Sequence, residues 1–398
     1  MRQAQSPDGT TRRRSLAEAL PPTDAPLWFD DTLVVEAVRP GWARLGGREY
    51  LALCLNDYLG LASDPRVIAA AEQALRIFGT GARAARTLGG DTRVHRELEE
   101  ELADFRQTEA ALVFVSGVAC NSSVLPAIVG RGAVIFSDER NHSSVIDGCR
   151  LSRAEVVIYR NRDAQHLAEQ LARLASAATP ALIVTSSVFS TAGDLAPLAE
   201  IAALADRYGA FLMVDDAHAI GVLGPGGVGS TAHFGLHGRI DIQMGTLGKA
   251  LGSVGGFVAG DRELMRYLAG HARSLLYTTA PPPASAAAAL AALRLLRAEP
   301  ERVERLRENA RRLHSGVVAL GFTVPERAAP ICPITFTDAA TAARASRQLL
   351  EQGLLVLAGG TPQLRLISSA VHTSDDIEAA LQAFAGVSDT LGLSKGNV

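Results

Sequence analysis

Seven short apolar runs punctuate the middle of this chain: Ala111–Val115, Ala133–Phe136, Val156–Tyr159, Ala181–Thr185, Phe211–Val214, Ile240–Met244 and Gly255–Ala259. Helical stretches, such as Gln165–Ala175 and Leu198–Tyr208, lie between most of them. A strand that is apolar along its whole length, rather than at alternate residues, is buried on both faces, and intervening helices supply the cover. The pattern therefore predicts an α/β fold built on a mostly parallel seven-stranded sheet with right-handed crossovers. At 398 residues, 47% of them hydrophobic, the chain can bury a large core.

The flanks differ from this middle. Residues 1–34 are polar, with several prolines, and read as a tail or arm. Trp42–Cys54 reads as a hairpin turning at Gly46-Gly47, within a 35–64 segment expected to pack on a smaller lobe. Arg66–Phe78 and Val94–Phe105 have helical spacing. Beyond Pro283 a long helix, Ser285–Ala298 continuing to Val317, leads into short strands at Ile334–Thr337, Leu354–Leu357 and Leu364–Ser368. A last helix spans Asp375–Phe384. The expected division is a large domain over 65–290 and a smaller α+β domain over 291–398.

Composition excludes several classes. A formal net charge of -3 gives no reason to expect nucleic acid or an acidic membrane as partner. No apolar run reaches the length of a membrane span, and Arg12, Arg13 and Arg14 precede no signal-like segment. Cys54, Cys120, Cys149 and Cys332 are scattered, with no metal-ligand spacing, as free thiols in a reducing compartment would be. No metal and a cytoplasmic location are expected.

Four segments carry chemistry. In Met244-Gly-Thr-Leu-Gly-Lys249-Ala-Leu-Gly252 a lysine sits among small residues just after a strand. A planar cofactor can approach such an amine, and the Thr246 hydroxyl can reach a phosphate; a surface lysine in a glycine turn fits the segment equally. A Walker A loop does not fit, because Gln243 and Ala250 stand where it needs glycine and Ser/Thr. In Asp215-Asp-Ala-His218 an acid lies at the carboxyl end of a strand, where open α/β sheets bind ligands. It can hold a pyridinium nitrogen protonated, with His218 placed for a ring hydroxyl, or it can be a helix cap beside an exposed histidine. Ser116-Gly117-Val118-Ala119-Cys120-Asn121 opens a helix whose N–H groups could hold a phosphate, or is an ordinary turn. His142, in Asn141-His-Ser-Ser144, could stack on a ring or be structural. The GxGxxG string Gly224–Gly229 lacks a strand before it and carries Pro225, so it reads as a bending loop rather than a dinucleotide site.

The ordered set of segments resembles the α-oxoamine synthases, a branch of the fold type I pyridoxal-phosphate (PLP) enzymes. The resemblance runs from about Trp42 to Phe384. It rests on Asn56-Asp-Tyr-Leu-Gly60-Leu, Gly79-Thr-Gly-Ala-Arg-Ala-Ala-Arg86-Thr-Leu-Gly-Gly90, Ser116-Gly117, Asn141-His142, Val188-Phe-Ser190, Asp215-Asp-Ala-His218, Gly245-Thr-Leu-Gly-Lys249-Ala, Leu364-Arg365-Leu and Ala370-Val-His372-Thr.

The resemblance implies a role for each matching residue. Lys249 would be the Schiff-base lysine, Asp215 the partner of the ring nitrogen, His218 and Ser190 contacts of the ring oxygen, and His142 the stacking ring. Ser116, Gly117, Val118 and Thr246 would surround the phosphate, while Thr278 and Thr279 would reach the phosphate of a neighbouring subunit in a homodimer. Arg365 would grip the amino-acid carboxylate beside Asn56, a bidentate match. Ala84, with Ala85, would border the amino-acid side chain. Arg83 and Arg86 could serve CoA or a carrier protein, or cap helices.

The implied reaction is a decarboxylative Claisen condensation of an amino acid with an acyl thioester, on acyl-CoA or an acyl-carrier protein, giving an α-aminoketone. Other PLP reactions, aldol cleavage or aminotransfer, share the scaffold; a non-catalytic PLP-binding protein is a third reading, opposed by the intact Lys249, Asp215, His218 and Arg365. Ser186, Thr191-Ala192-Gly193, Val118 and Gly359-Gly-Thr-Pro-Gln363 depart from the family's usual residues and point to a specialised substrate pair.

Overall fold

The computed structural model describes residues 33–174, 179–325 and 329–393, so the expected N-terminal tail falls, but for two residues, outside the described residues. An antiparallel meander comes first: β1 (Ala37–Arg39), β2 (Trp42–Leu45) and β3 (Arg48–Ala52). Gly46 and Gly47, both with positive φ, make the β2–β3 turn. The helix Pro65–Phe78 follows, started by Asp64, whose carboxylate accepts from Arg66 N at 3.0 Å, and by a proline suited to its first turn.

All seven apolar runs join one sheet: β4 (Ala110–Phe114), β5 (Val134–Asp138), β6 (Glu155–Tyr159), β7 (Ala181–Ser186), β8 (Phe211–Asp215), β9 (Ile242–Thr246) and β10 (Gly256–Gly260). Their order is β4-β10-β9-β8-β7-β5-β6. Only β10 runs against its neighbours, so β4 points the same way as β9. Alternate residues enter separate cores. Leu182, Val184, Met213 and Val258 pack on one face; Ile183, Leu212, Val214 and Phe257 pack on the other. Each such side chain contributes roughly 1.5–3 kcal/mol by burial, which is why these strands show no polar alternation. β6, at the edge, leaves Val156 and Ile158 exposed.

The C-terminal part holds β11 (Ile331–Thr335), β12 (Leu354–Leu355) and β13 (Gln363–Ile367). β11 starts three residues before the expected Ile334 and pairs antiparallel with β13. The short β12 leaves that pair and runs parallel to β3, with Leu354 opposite Leu51. One core joins the meander to this part through Leu51, Leu53, Leu313, Phe322, Leu364 and Phe384. The last helix, Ser374–Leu391, begins one residue early because Thr373 and Asp376 cap each other reciprocally. Among the described residues no helix is long and apolar enough to cross a membrane, and no metal-ligand cluster occurs.

Candidate active site

The carboxyl ends of β4, β5, β7, β8 and β9 open onto one cavity of about 190 Å³. It is lined by Ser116, Gly117, Val118, Asn121, Arg140, His142, Ser144, Ser186, Val188, Ser190, Asp215, Ala217, His218, Met244, Thr246 and Lys249. Brought together here are all four residues expected to do chemistry, Lys249, Asp215, His218 and His142, with the expected phosphate contacts Ser116, Gly117, Val118 and Thr246. Convergence at this edge follows from the parallel sheet, which delivers every strand-end loop to the same side.

Lys249 Nζ lies 3.0 Å from His218 Nε2. Burial lowers the lysine pKa from 10.5 to about 8, the positive Arg365 adds to this, and Asp215 opposes it. His218 is held well below its usual 6.5, first by burial and then by Lys249, Arg365 and His142. Its other nitrogen, Nδ1, is 2.6 Å from Tyr58 Oη. The centre is thus a neutral imidazole between a readily deprotonated amine and a buried phenol.

Asp215 has both oxygens engaged: Oδ1 accepts from Ala217 N at 3.0 Å and Oδ2 from Asn121 Nδ2 at 2.9 Å. Asn121 Nδ2 also lies 3.0 Å from Ser144 Oγ, which is 2.8 Å from His142 Nδ1. A continuous chain therefore runs from Asp215 to His142, which caps the helix Ser143–Ser152. Gly148 permits it: a Cβ there would stand 2.6 Å from Asn121 O, so only glycine lets the two helices approach this closely.

Ser116 caps the helix Gly117–Ile128 by accepting from Ala119 N at 3.0 Å, which leaves the first N–H groups, those of Gly117 and Val118, at the cavity. Thr246 Oγ1 donates to Gly255 O at 3.0 Å and accepts from Gly248 N at 3.2 Å, so a phosphate would compete for its proton. Arg365 Nη1 donates to Ser190 O at 2.7 Å and Nη2 to Asn56 Oδ1 at 3.1 Å. Asn56 and Arg365 therefore stand together beside Ser190, one step from the cavity wall.

Five expected residues are not among the cavity's lining: Asn56 and Arg365, one step behind it, and Ala84, Thr278 and Thr279. Ala280 N donates to Ala84 O at 3.0 Å, tying the segment of Ala84 to that of Thr278 and Thr279. Arg86, left open as a carrier contact, is internal: it makes a two-pronged pair with Glu99, at 2.9 Å for each contact, and bonds Asp91 at 2.7 Å. The glycine loop Gly224–Gly229 folds over a buried ion pair, Arg106 Nη2 to Asp216 Oδ2 at 2.7 Å. A Cβ on Gly229 would meet both partners. Sequence reasoning passed over Tyr58, Asn121 and Ser144, although each lies inside a segment already singled out.

The donor set fits PLP. A buried, readily deprotonated amine suits its aldehyde carbon, a doubly supported carboxylate suits its ring nitrogen, and the free N–H groups of a helix start suit its phosphate. Residues 48–384 match the family model of the class I and II aminotransferases. An 8-amino-7-oxononanoate synthase from Symbiobacterium thermophilum is 44% identical over 356 residues, 88% of this chain and 91% of that protein. Another, from Anaeromyxobacter dehalogenans strain 2CP-1, is 46% identical over 351 residues, 86% of this chain and 88% of its own. This chain belongs to the α-oxoamine synthases.

Solved α-oxoamine synthases share the fold. A variant serine palmitoyltransferase from S. paucimobilis with a bound PLP–myriocin aldimine superposes with a TM-score of 0.87 at 35% identity, covering 91% of this chain and 93% of the other. An 8-amino-7-oxononanoate synthase from Francisella tularensis gives 0.73 at 28% identity, covering 86% and 99%. The chain is a fold type I, PLP-dependent acyltransferase, as its motifs implied.

Proposed function

We propose that the Lys249 cavity condenses an α-amino acid with an acyl thioester and releases carbon dioxide, with the residue roles set by the contacts above. The observation that carries this is the pairing of a depressed-pKa lysine with Arg365 one step away: a base and a carboxylate clamp held beside one another. Arg365, steered by Asn56 and the Ser190 carbonyl, binds the amino-acid carboxylate. Lys249 Nζ removes the α-proton. PLP, once bound, supplies an electron-withdrawing ring that accepts the electron pair left behind. Asp215, fixed by Asn121 and Ala217 N, would hold the proton on the ring nitrogen. His142 would cover the ring face, His218 would donate to the ring oxygen with Ser190 beside it, and the Gly117 and Val118 N–H groups with Thr246 would hold the phosphate. The α-carbon then bonds the acyl carbon, the thiol leaves, and loss of carbon dioxide gives an α-aminoketone.

The acyl donor is carried by CoA or a carrier protein, and the departures at Ser186 and Val118, both on the cavity wall, favour a specialised acyl group. Thr278 and Thr279 act at the phosphate of a neighbouring subunit's site within a homodimer, which fits their absence from this cavity's lining, and Ala84 borders the amino-acid side chain. The four cysteines are free, three of them buried, in keeping with a cytoplasmic enzyme.

The test supplies PLP-loaded protein with carboxyl-labelled amino acids and a panel of acyl thioesters. Labelled carbon dioxide and free thiol should appear together, and only when both substrates are present. Turnover of the amino acid alone would replace this reading with aldol cleavage or aminotransfer.

A further inference from the structure

Tyr58 is wholly buried, and its hydroxyl meets a single polar partner among the described residues, His218 Nδ1 at 2.6 Å. Burial pushes its pKa far up, so the phenol keeps its proton across the range in which enzymes work. That proton needs an acceptor, because a buried donor left unmade costs more than an unused lone pair. Were His218 protonated at Nδ1, the imidazole would donate to Tyr58 Oη, and the phenol proton would have nowhere to go. With Tyr58 donating, Nδ1 is the acceptor, and the single proton of the neutral ring sits on Nε2. Nε2 faces Lys249 Nζ at 3.0 Å. The remaining charged or titratable groups acting on His218 are Arg365 and His142, both of which disfavour a second proton on it.

We propose that Tyr58 is a positioning residue that locks His218 in its Nε2–H tautomer, making the imidazole a standing donor into the Lys249 cavity. In the cofactor-free chain that donor meets the lysine amine, which accepts only when unprotonated. Resting on the PLP reading above, the same donor meets the cofactor's ring oxygen, an acceptor that the opposite tautomer would repel. The phenol thus selects the donor without touching substrate or cofactor, much as an outer carboxylate or carbonyl sets the tautomer of a working histidine elsewhere.

The experiment is nitrogen NMR on full-length protein labelled at histidine, with and without PLP, the His218 signals being assigned by their loss in His218→Gln. In the wild type, Nε2 should carry the proton and Nδ1 should be bare and hydrogen-bonded, from about pH 6 to 9 with PLP bound and, without it, above about pH 8, where the Lys249 amine is free to accept. Tyr58→Phe, which keeps the ring volume, should mix the tautomers and weaken PLP binding roughly fivefold to tenfold, the worth of one hydrogen bond. A proton on Nδ1 in the wild type overturns the proposal, as does a Tyr58→Phe spectrum identical to the wild type. The wild-type spectrum decides the tautomer by itself if Tyr58→Phe does not fold. Because the cofactor-free chain is read too, an Nε2–H signal in a protein that takes up no PLP would leave the tautomer standing and sink only the cofactor reading.

Discussion

Asn121 Nδ2 stands 2.9 Å from Asp215 Oδ2, and this contact joins the acid on β8 to the helix that begins the phosphate pocket. The same amide nitrogen reaches Ser144 and, through it, His142. The groups meant for the ring nitrogen, the ring face and the phosphate are therefore one connected unit.

Asn121→Ala should lower PLP affinity and turnover together by about tenfold or more, the usual worth of a hydrogen bond to a carboxylate being about 1.5–3 kcal/mol. Titrating PLP against the variant, with circular dichroism to show an unchanged fold, checks this. Unchanged affinity would mean that Ala217 N alone orients Asp215.

Lys249 makes stability depend on pH. Its pKa is about 8 in the folded chain against an ordinary 10.5, so between those values the unfolded chain binds more protons. Stability of the cofactor-free protein should accordingly rise as pH climbs from about 8 to about 10.5, and the full cost of burying the charged amine is present below 8. Lys249→Met removes the titrating group. The variant should be more stable than the wild type at pH 7, and the gap should narrow by pH 10, as read from urea midpoints. A constant gap would contradict the lowered pKa.

The sheet was legible because its strands are short, apolar throughout and buried on both faces, a pattern that survives without tertiary knowledge. The strand at Leu354–Leu355 was legible too, but its pairing was not: only the packing of the meander shows that it lies against Leu51 and Ala52. Lys249, Asp215 and His142 stood out because reactive side chains sat at strand ends. Tyr58 and Asn121 did not, since a buried tyrosine or asparagine in a motif is indistinguishable from packing until its partner, 160 or 94 positions away, is in place. Arg86 shows the converse: an arginine that looks free in sequence is held by Glu99 and Asp91.

Arg365→Ala should raise the KM for the amino acid by about tenfold to a hundredfold, with PLP binding retained. Asn56→Ala, which frees one arm of the guanidinium, should show a smaller rise of the same kind. Steady-state kinetics with the amino acid varied at fixed thioester measures both. A fall in kcat alone would move Arg365 from substrate binding to the chemical step.

Asp216→Ala leaves the Arg106 guanidinium buried without its carboxylate and should cost about 3–5 kcal/mol. Gly229→Ala, which drives a methyl into that pair at a positive φ, should also destabilise. Thermal unfolding with and without PLP measures both, and a loss near zero would show that the loop Gly224–Gly229 relaxes around the pair.

Thr278 and Thr279 do not line the Lys249 cavity of their own chain, which sets up a complementation test. Lys249→Ala chains and chains carrying Thr278→Ala with Thr279→Ala should each be weak, and mixing them by refolding together should restore one intact site per dimer. Activity that never exceeds the sum of the parents would place the threonines outside a shared site.

Borohydride reduction of the PLP-loaded protein followed by peptide mass spectrometry tests the central claim most directly. The account predicts a pyridoxyl-phosphate adduct on Lys249 and its loss, with the visible absorbance, in Lys249→Ala. A protein that carries no adduct after PLP loading, or carries it on another lysine, would contradict the account.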